Sequence, residues 1–75
     1  DMTLQEAMLC GVPPLSTRLS TISKSITLNE RNGWTFSRYD PSEFQKILDQ
    51  LIRDPSLIKI KGERARKYAL EAFSL

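Results

Sequence analysis

Glu6 is the first residue whose type and position suggest chemistry, and it lies in the stretch TLQEAMLCGVPPLST, residues 3–17. Its carboxylate falls in the first turn of a short apolar helix that ends at Gly11 and leads directly into a Val-Pro-Pro segment. In open α/β sheets ligands bind at the carboxyl ends of the strands, where such a carboxylate accepts hydrogen bonds from ligand hydroxyls. Alternatively, Glu6 closes a capping box with Thr3 and has only a structural role. The pattern alone leaves both interpretations open.

Cys10 is the one cysteine of the chain, and the chain has no histidine. A Cys-His nucleophile or a Cys/His metal site therefore cannot be built from these residues. We expect Cys10, beside an apolar helix end, to be a buried small residue. Because one cysteine cannot form an internal disulfide, the composition favours a reducing compartment. We expect the cytosol, including the cytoplasmic face of a membrane.

Two further groups of side chains suggest binding and have simpler structural explanations. Trp34 and Phe36 follow an Asn-Gly turn and alternate with polar residues, which is more typical of a strand in a core than of a base-stacking surface. Five cations near the end of the chain suit nucleic acid or an anionic membrane. Since apolar residues interleave with them, we expect these cations to lie on the solvent-exposed face of the last helices and to bind no nucleic acid. The five are Lys59, Lys61, Arg64, Arg66 and Lys67.

The composition is that of one small globular domain. The chain has 75 residues, of which 40% are hydrophobic and 27% charged, with a formal net charge of +2. It contains neither an apolar run long enough for a membrane helix nor the pattern of a signal peptide. Because the sequence opens directly on a helix cap, we expect it to be a piece of a longer chain.

Helix signals and turn signals divide the chain into short elements. Asp40-Pro41 is a strong helix start, Asp54-Pro55 repeats its pattern of cap and proline, and Gly62 predicts a helix break. The pattern favours no structure for residues 18–29. Two strands cannot bury both faces of a parallel sheet, so we expect neighbouring elements outside this sequence. The predicted elements are a helix over 3–10, a strand over 13–17, a short strand over 33–37, a helix over 41–54 and two helices over 55–61 and 63–73.

Four blocks in this order resemble one enzyme family: QEAMLCGVPPLST, NERNGWTF, DPSEFQKILDQLIRDPSL and ERARKYALEAFSL. They are similar to the C-terminal portion of retaining, nucleotide-sugar-dependent glycosyltransferases of group 1, also called family 4. The resemblance implies the GT-B fold, which has two facing Rossmann-like halves. This chain would be the end of the C-terminal, donor-binding domain, an α/β structure that is mostly helical here with two or three short parallel strands.

The resemblance also implies roles for particular residues. Glu6 would accept hydrogen bonds from the ribose of the donor, while Met2 and Thr3 would lie near its sugar and diphosphate. The family's first donor-site glutamate would precede Asp1. The family's basic residues that stabilise the departing diphosphate would also lie upstream, so we expect residues 1–75 alone not to turn over. Asp1 stands where the family often has a small residue. Ser20, Thr21 and Lys24 stand near a position where many members have Gly-Gly-x-x-Glu.

The function implied by the resemblance is transfer of a sugar from a nucleotide diphosphate-sugar to an acceptor hydroxyl on a glycan, lipid or small molecule. No metal or other cofactor is expected, and the other expected partner is the N-terminal remainder of the enzyme. The competing hypothesis is a small non-catalytic α/β interaction module in which Glu6 is only a helix cap and the apolar helix faces bind a partner chain.

Overall fold

The computed structural model describes residues 4–18 and 30–73. Within these ranges the helices and strands follow the order helix, strand, strand, helix, helix. They are α1 (Leu4–Leu9), β1 (Leu15–Thr17), β2 (Trp34–Phe36), α2 (Pro41–Arg53) and α3 (Ser56–Ala72). The predicted fold class, a mostly helical α/β structure with short parallel strands, is confirmed. None of the described helices is both long and apolar enough to cross a membrane.

β1 and β2 form a parallel pair. The N–H of Trp34 donates to the carbonyl of Pro14 across 2.9 Å, just before the paired residues begin. Pro13 and Pro14 have no N–H to donate, and β1 is accordingly shorter than the strand predicted over 13–17. β2 is likewise shorter than the prediction of 33–37. The register pairs Leu15 with Trp34, Ser16 with Thr35 and Thr17 with Phe36.

Gly11 ends α1 with a Schellman motif. Its φ of 82° lies in the left-handed region, which glycine adopts without the steric cost that a Cβ brings. The N–H of Val12 donates to the carbonyl of Ala7 across 3.0 Å, and the N–H of Gly11 donates to that of Met8 across 2.9 Å. These two bonds satisfy carbonyls that the helix end leaves without partners. The predicted start of this helix, residue 3, lies outside the described residues.

The described core lies between α1 and α3. Met8, Ala65 and Ala69 are fully buried against one another. The rings of Tyr68 and Phe73 meet edge to face, with centroids 6.0 Å apart. Because two of the three central residues are alanines, the two helices approach closely and bury little side-chain volume. Partly buried residues packed on this centre are Leu4, Leu9, Tyr68 and Phe73.

Gly62 lies inside α3, so the predicted break between helices 55–61 and 63–73 is wrong. A glycine in a helix interior costs about 1 kcal/mol relative to alanine, which is the reason for predicting a break. Here the missing side chain is a packing requirement. A Cβ on Gly62 would lie 2.1 Å from the carbonyl oxygen of Gly11 and 3.3 Å from Cδ of Pro13. Atoms of Gly11 and Pro13 occupy the space that a side chain at position 62 would need, and the helix continues through Gly62.

α2 begins at the predicted Asp40-Pro41 signal. Asp40 is the N-cap, and its Oδ1 accepts hydrogen bonds from the N–H of Ser42 at 3.0 Å and from its Oγ at 2.6 Å. These two bonds, the hydroxyl bond first, hold the pKa of Asp40 below its usual 3.8, and the positive charges of Lys46 and Arg18 act in the same direction. α2 contacts the sheet where the rings of Phe44 and Phe36 lie 5.1 Å apart.

Two predicted burial states are reversed. Cys10 is exposed, because it follows the last residue of α1 and lies well around the helix from the buried Met8. Lys61, expected on the solvated face, is only 9% exposed. It lies next to Gly62 on the side of α3 that contacts the rest of the protein. The other members of the predicted cationic cluster, Lys59, Arg64, Arg66 and Lys67, are exposed as expected.

Lys61 fastens α3 to the turn before β2. Its Nζ lies 4.3 Å from the ring centroid of Trp34 and donates a hydrogen bond to the carbonyl of Gly33 across 3.0 Å. The carboxylate of Glu30 lies 3.8 Å away. Burial lowers the pKa of Lys61 below 10.5, helped by the positive charge of Arg64 and opposed by Glu30.

We predict that Gly62→Ala destabilises the protein although alanine is the better helix former. Forcing a methyl group into a tight contact typically costs about 1–3 kcal/mol, and the gain in helix propensity of about 1 kcal/mol only partly offsets it. Urea unfolding followed by the fluorescence of Trp34 measures the difference. Glu63→Ala, at an exposed position of the same helix, is the control and should leave the midpoint nearly unchanged. A Gly62→Ala variant more stable than the wild type would contradict the close contact.

We predict that Asp40→Asn removes one component of acid denaturation. The carboxyl of Asp40 protonates at lower pH in the folded protein than in the unfolded chain. Its contribution to stability is therefore complete above pH 3.8 and is lost as pH falls through the lower folded-state pKa. Asparagine still accepts the cap hydrogen bond but does not titrate. The urea midpoint should fall less between about pH 5 and about pH 2.5 in the variant than in the wild type. An equal fall in both proteins would contradict this role of the cap.

Candidate functional site

The carboxyl ends of β1 and β2 define one edge of the sheet. The chain leaves this edge at Arg18 after β1, and α2 begins there a few residues after β2. α1 precedes β1 and joins it through a short turn, so its last residues lie beside the amino end of β1. The carboxyl edge is the position at which open α/β sheets bind ligands.

Glu6 is exposed in the first turn of α1. Each helical residue turns the chain by about 100°, so Glu6 lies about 200° around the helix from the buried Met8. Its backbone carbonyl accepts the N–H of Cys10 across 3.1 Å. Met2 and Thr3, the other predicted donor-binding residues, lie outside the described residues. The capping box between Thr3 and Glu6 therefore stays a prediction.

Arg18 joins the two strands and α2 at the carboxyl edge. Its backbone N–H donates to the carbonyl of Phe36 across 3.0 Å, and its Nη1 donates to the carbonyl of Thr35 across 3.3 Å. Its Nη2 forms an ion pair and hydrogen bond with Oε1 of Glu43, in the first turn of α2. One side chain thus connects the end of β1, the end of β2 and the start of α2.

Sequence reasoning did not single out Arg18 or Glu43. Arg18 falls at the start of residues 18–29, for which the pattern favours no structure, and Glu43 lies within the helix predicted over 41–54. The signal that could have identified Arg18 is its position in the chain. Arg18 directly follows an apolar strand, and the residues that follow parallel strands meet at the ligand-binding edge of an α/β sheet.

The other notable features of the described residues do not include Glu6. The larger cavity, about 620 Å³, lies between α2 and the start of α3 and contains none of the predicted site residues. Among residues 4–18 and 30–73, no three His, Cys, Asp or Glu side chains are close enough to hold a metal ion. Ser16 Oγ and Trp34 Nε1 are buried and have no hydrogen-bond partner in the described part of the protein.

Comparison with known proteins gives a family and one curated relative. Residues 2–71 match the family described as glycosyl transferases group 1. The chain is 35% identical over 72 residues to an N-acetyl-alpha-D-glucosaminyl L-malate synthase of Bacillus anthracis. That alignment covers 96% of this chain and 19% of the relative. No solved structure matches the chain significantly.

The family match extends across every element of the fold. It begins before α1, includes both strands and α2, and ends one residue before the last residue of α3. The parallel strand pair and the helical surroundings agree with the α/β domain that the sequence blocks implied. The chain therefore belongs to the group 1 glycosyltransferase family.

Proposed function

We propose that this chain forms part of the donor site of a retaining glycosyltransferase, which moves a sugar from a nucleotide diphosphate-sugar to an acceptor hydroxyl. In this proposal Glu6 accepts hydrogen bonds from the ribose hydroxyls of the donor. The observation that carries the proposal is the family match over residues 2–71. The exposure of Glu6 on the side of α1 away from Met8 supports the residue assignment, because a ligand can reach the carboxylate there.

A carboxylate suits a ribose for a simple chemical reason. Its two oxygens accept hydrogen bonds from two neighbouring hydroxyls at once, and bonds to an ionised acceptor are stronger than those between neutral groups. The unpaired N–H groups at a helix start favour the negative charge of a diphosphate. We assign that contact to the backbone near Met2 and Thr3. The hydroxyl-binding and phosphate-binding parts of the donor site would thus be adjacent in sequence.

The curated relative suggests the first substrates to test. It is named for an N-acetylglucosaminyl group and for L-malate. We therefore propose a nucleotide-linked N-acetylglucosamine as donor and a small hydroxy acid as acceptor, with a glycan or a lipid as further acceptor classes. The chain spans 19% of the length of that relative, and in our proposal the remainder of the enzyme supplies the acceptor site.

A second candidate function is a non-catalytic interaction module. The observation that favours it is the exposure of apolar side chains on α2 and α3. Ile52 is 76% exposed, Ile58 47% and Phe44 36%, and α2 buries none of its residues in the described structure. Such a surface suits a partner chain, which in the glycosyltransferase proposal is the remainder of the enzyme. In the module hypothesis Glu6 is only a helix cap.

We predict that uridine or guanosine diphosphate shifts the backbone amide NMR signals of the first eight residues, and that Glu6→Gln weakens this binding. Loss of charge-assisted bonds to the ribose should raise the dissociation constant roughly ten-fold. Glu63→Gln, an exposed glutamate of α3, is the matched control and should bind as the wild type does.

Three results separate the hypotheses. Equal affinities of Glu6→Gln and wild type would remove the ribose role of Glu6. No response to either nucleotide at millimolar concentration would favour the interaction module. We also expect residues 1–75 alone to transfer no sugar to L-malate, and product formation in a coupled mass-spectrometric assay would contradict this expectation.

A further inference from the structure

A small basic pocket lies between α3 and the turn before β2, and Glu6 does not line it. Its volume is about 250 Å³. The turn contributes one cation and one buried amide, and α3 contributes two cations, a phenol and a carboxylate. The lining residues are Arg31, Asn32, Arg64, Lys67, Tyr68 and Glu71.

Two elements hold the walls of this basic pocket in fixed positions. The α3 residues lie at positions 64, 67, 68 and 71, a spacing that places them on one face of a helix. The turn is attached to the same helix by Lys61, whose Nζ donates to the carbonyl of Gly33 and lies over Trp34. On its other side the turn contacts Pro14 so closely that a Cβ on Gly33 would lie 2.2 Å from the Pro14 carbonyl oxygen. The pocket is therefore formed before any ligand binds.

The charges around the basic pocket do not balance. On α3 two cations, Arg64 and Lys67, face one carboxylate, Glu71, which leaves an excess of positive charge. Within residues 4–18 and 30–73, neither Arg64 nor Lys67 takes part in an ion pair. Arg64 also contributes to the lowered pKa of Lys61, which means that the positive charges repel one another. An anion entering the pocket would relieve this repulsion.

We infer that the basic pocket binds a phosphate group, carried either by a soluble phosphate compound or by a phospholipid head group. Guanidinium groups match phosphate oxygens with paired hydrogen bonds, and an ammonium adds a point charge. The hydroxyl of Tyr68 supplies a further donor at the pocket wall. A pocket of this volume has room for one phosphate with a small substituent, whereas a polynucleotide requires an extended groove with stacking surfaces.

This site is separate from the proposed donor site. Arg31 and Asn32 precede β2 and so lie at the amino end of the strand, whereas the donor is proposed at the carboxyl edge. The inference therefore does not depend on the glycosyltransferase proposal. A phosphate bound here would join the turn to α3 by charge-assisted bonds, in addition to the bond that Lys61 already makes.

The test compares two double variants with the same loss of charge. Arg64→Gln with Lys67→Gln removes both α3 cations of the basic pocket. Lys59→Gln with Arg66→Gln removes two exposed cations of the same helix that do not line it. Inorganic phosphate is titrated while the amide NMR signals are recorded, and vesicles containing phosphatidylglycerol are tested by co-sedimentation. Urea unfolding followed by Trp34 fluorescence checks that each variant folds. If the pocket double variant does not fold, Lys67→Gln replaces it, and if the control double variant does not fold, Arg66→Gln replaces it.

We expect saturable shifts at Arg31, Asn32, Arg64 and Lys67 in the wild type. The pocket variant should bind at least about ten-fold more weakly, and the control variant within about two-fold of the wild type. Saturable binding of inorganic phosphate indicates a soluble ligand. Vesicle binding that requires the pocket cations, in a protein that inorganic phosphate does not saturate, indicates a lipid head group. Equal weakening in both double variants, or no binding of either probe by the wild type, overturns the inference. A nucleotide response confined to α1 tests the donor site independently.

Discussion

The arrangement of the described elements depends on one backbone contact between two glycines. Gly62 in α3 lies so close to the carbonyl of Gly11 that no side chain fits between them. This contact sets the distance between α3 and α1, and only small residues such as Ala65 and Ala69 then fit above Met8. Gly11 meets a second requirement at the same point, because its positive φ ends α1 and turns the chain toward β1. The two glycines therefore determine both the local turn and the helix packing.

The burial of Lys61 follows from that contact. Since Gly62 faces Gly11, the preceding residue faces the turn before β2, and its side chain is removed from most of the solvent. Removal of an ammonium group from water is costly, and the lowered pKa of Lys61 reflects this cost. The carbonyl of Gly33, the ring of Trp34 and the carboxylate of Glu30 partly replace the lost hydration. Lys61 thus joins the packing of the helices to the position of the sheet, which contacts between α1 and α3 alone do not achieve.

The features that sequence reasoning predicted correctly depend on local chemistry. Asp40 starts α2 through a cap hydrogen bond to Ser42, two residues along the chain, and Gly11 ends α1 through its own positive φ. The incorrect predictions for Gly62 and Lys61 involve residues distant in sequence. By its type Gly62 predicts a helix break, but its close contact with Gly11 requires a glycine there. By its type Lys61 predicts a surface cation, but its contact with Trp34 buries it. The Arg18–Glu43 pair was missed for the same reason, because its members are 25 positions apart.

The two ends of the sheet differ in the charged groups that the described residues place there. At the carboxyl edge Arg18 is already paired with Glu43, and the guanidinium of Arg38 lies over the ring of Tyr39. The basic pocket belongs to the amino end. A diphosphate at the carboxyl edge would therefore find both of these arginines engaged. In the proposed donor complex the phosphate charge would be balanced by helix N–H groups and by cations from outside residues 4–18 and 30–73, while Glu6 would accept hydrogen bonds from the hydroxyls of the ribose.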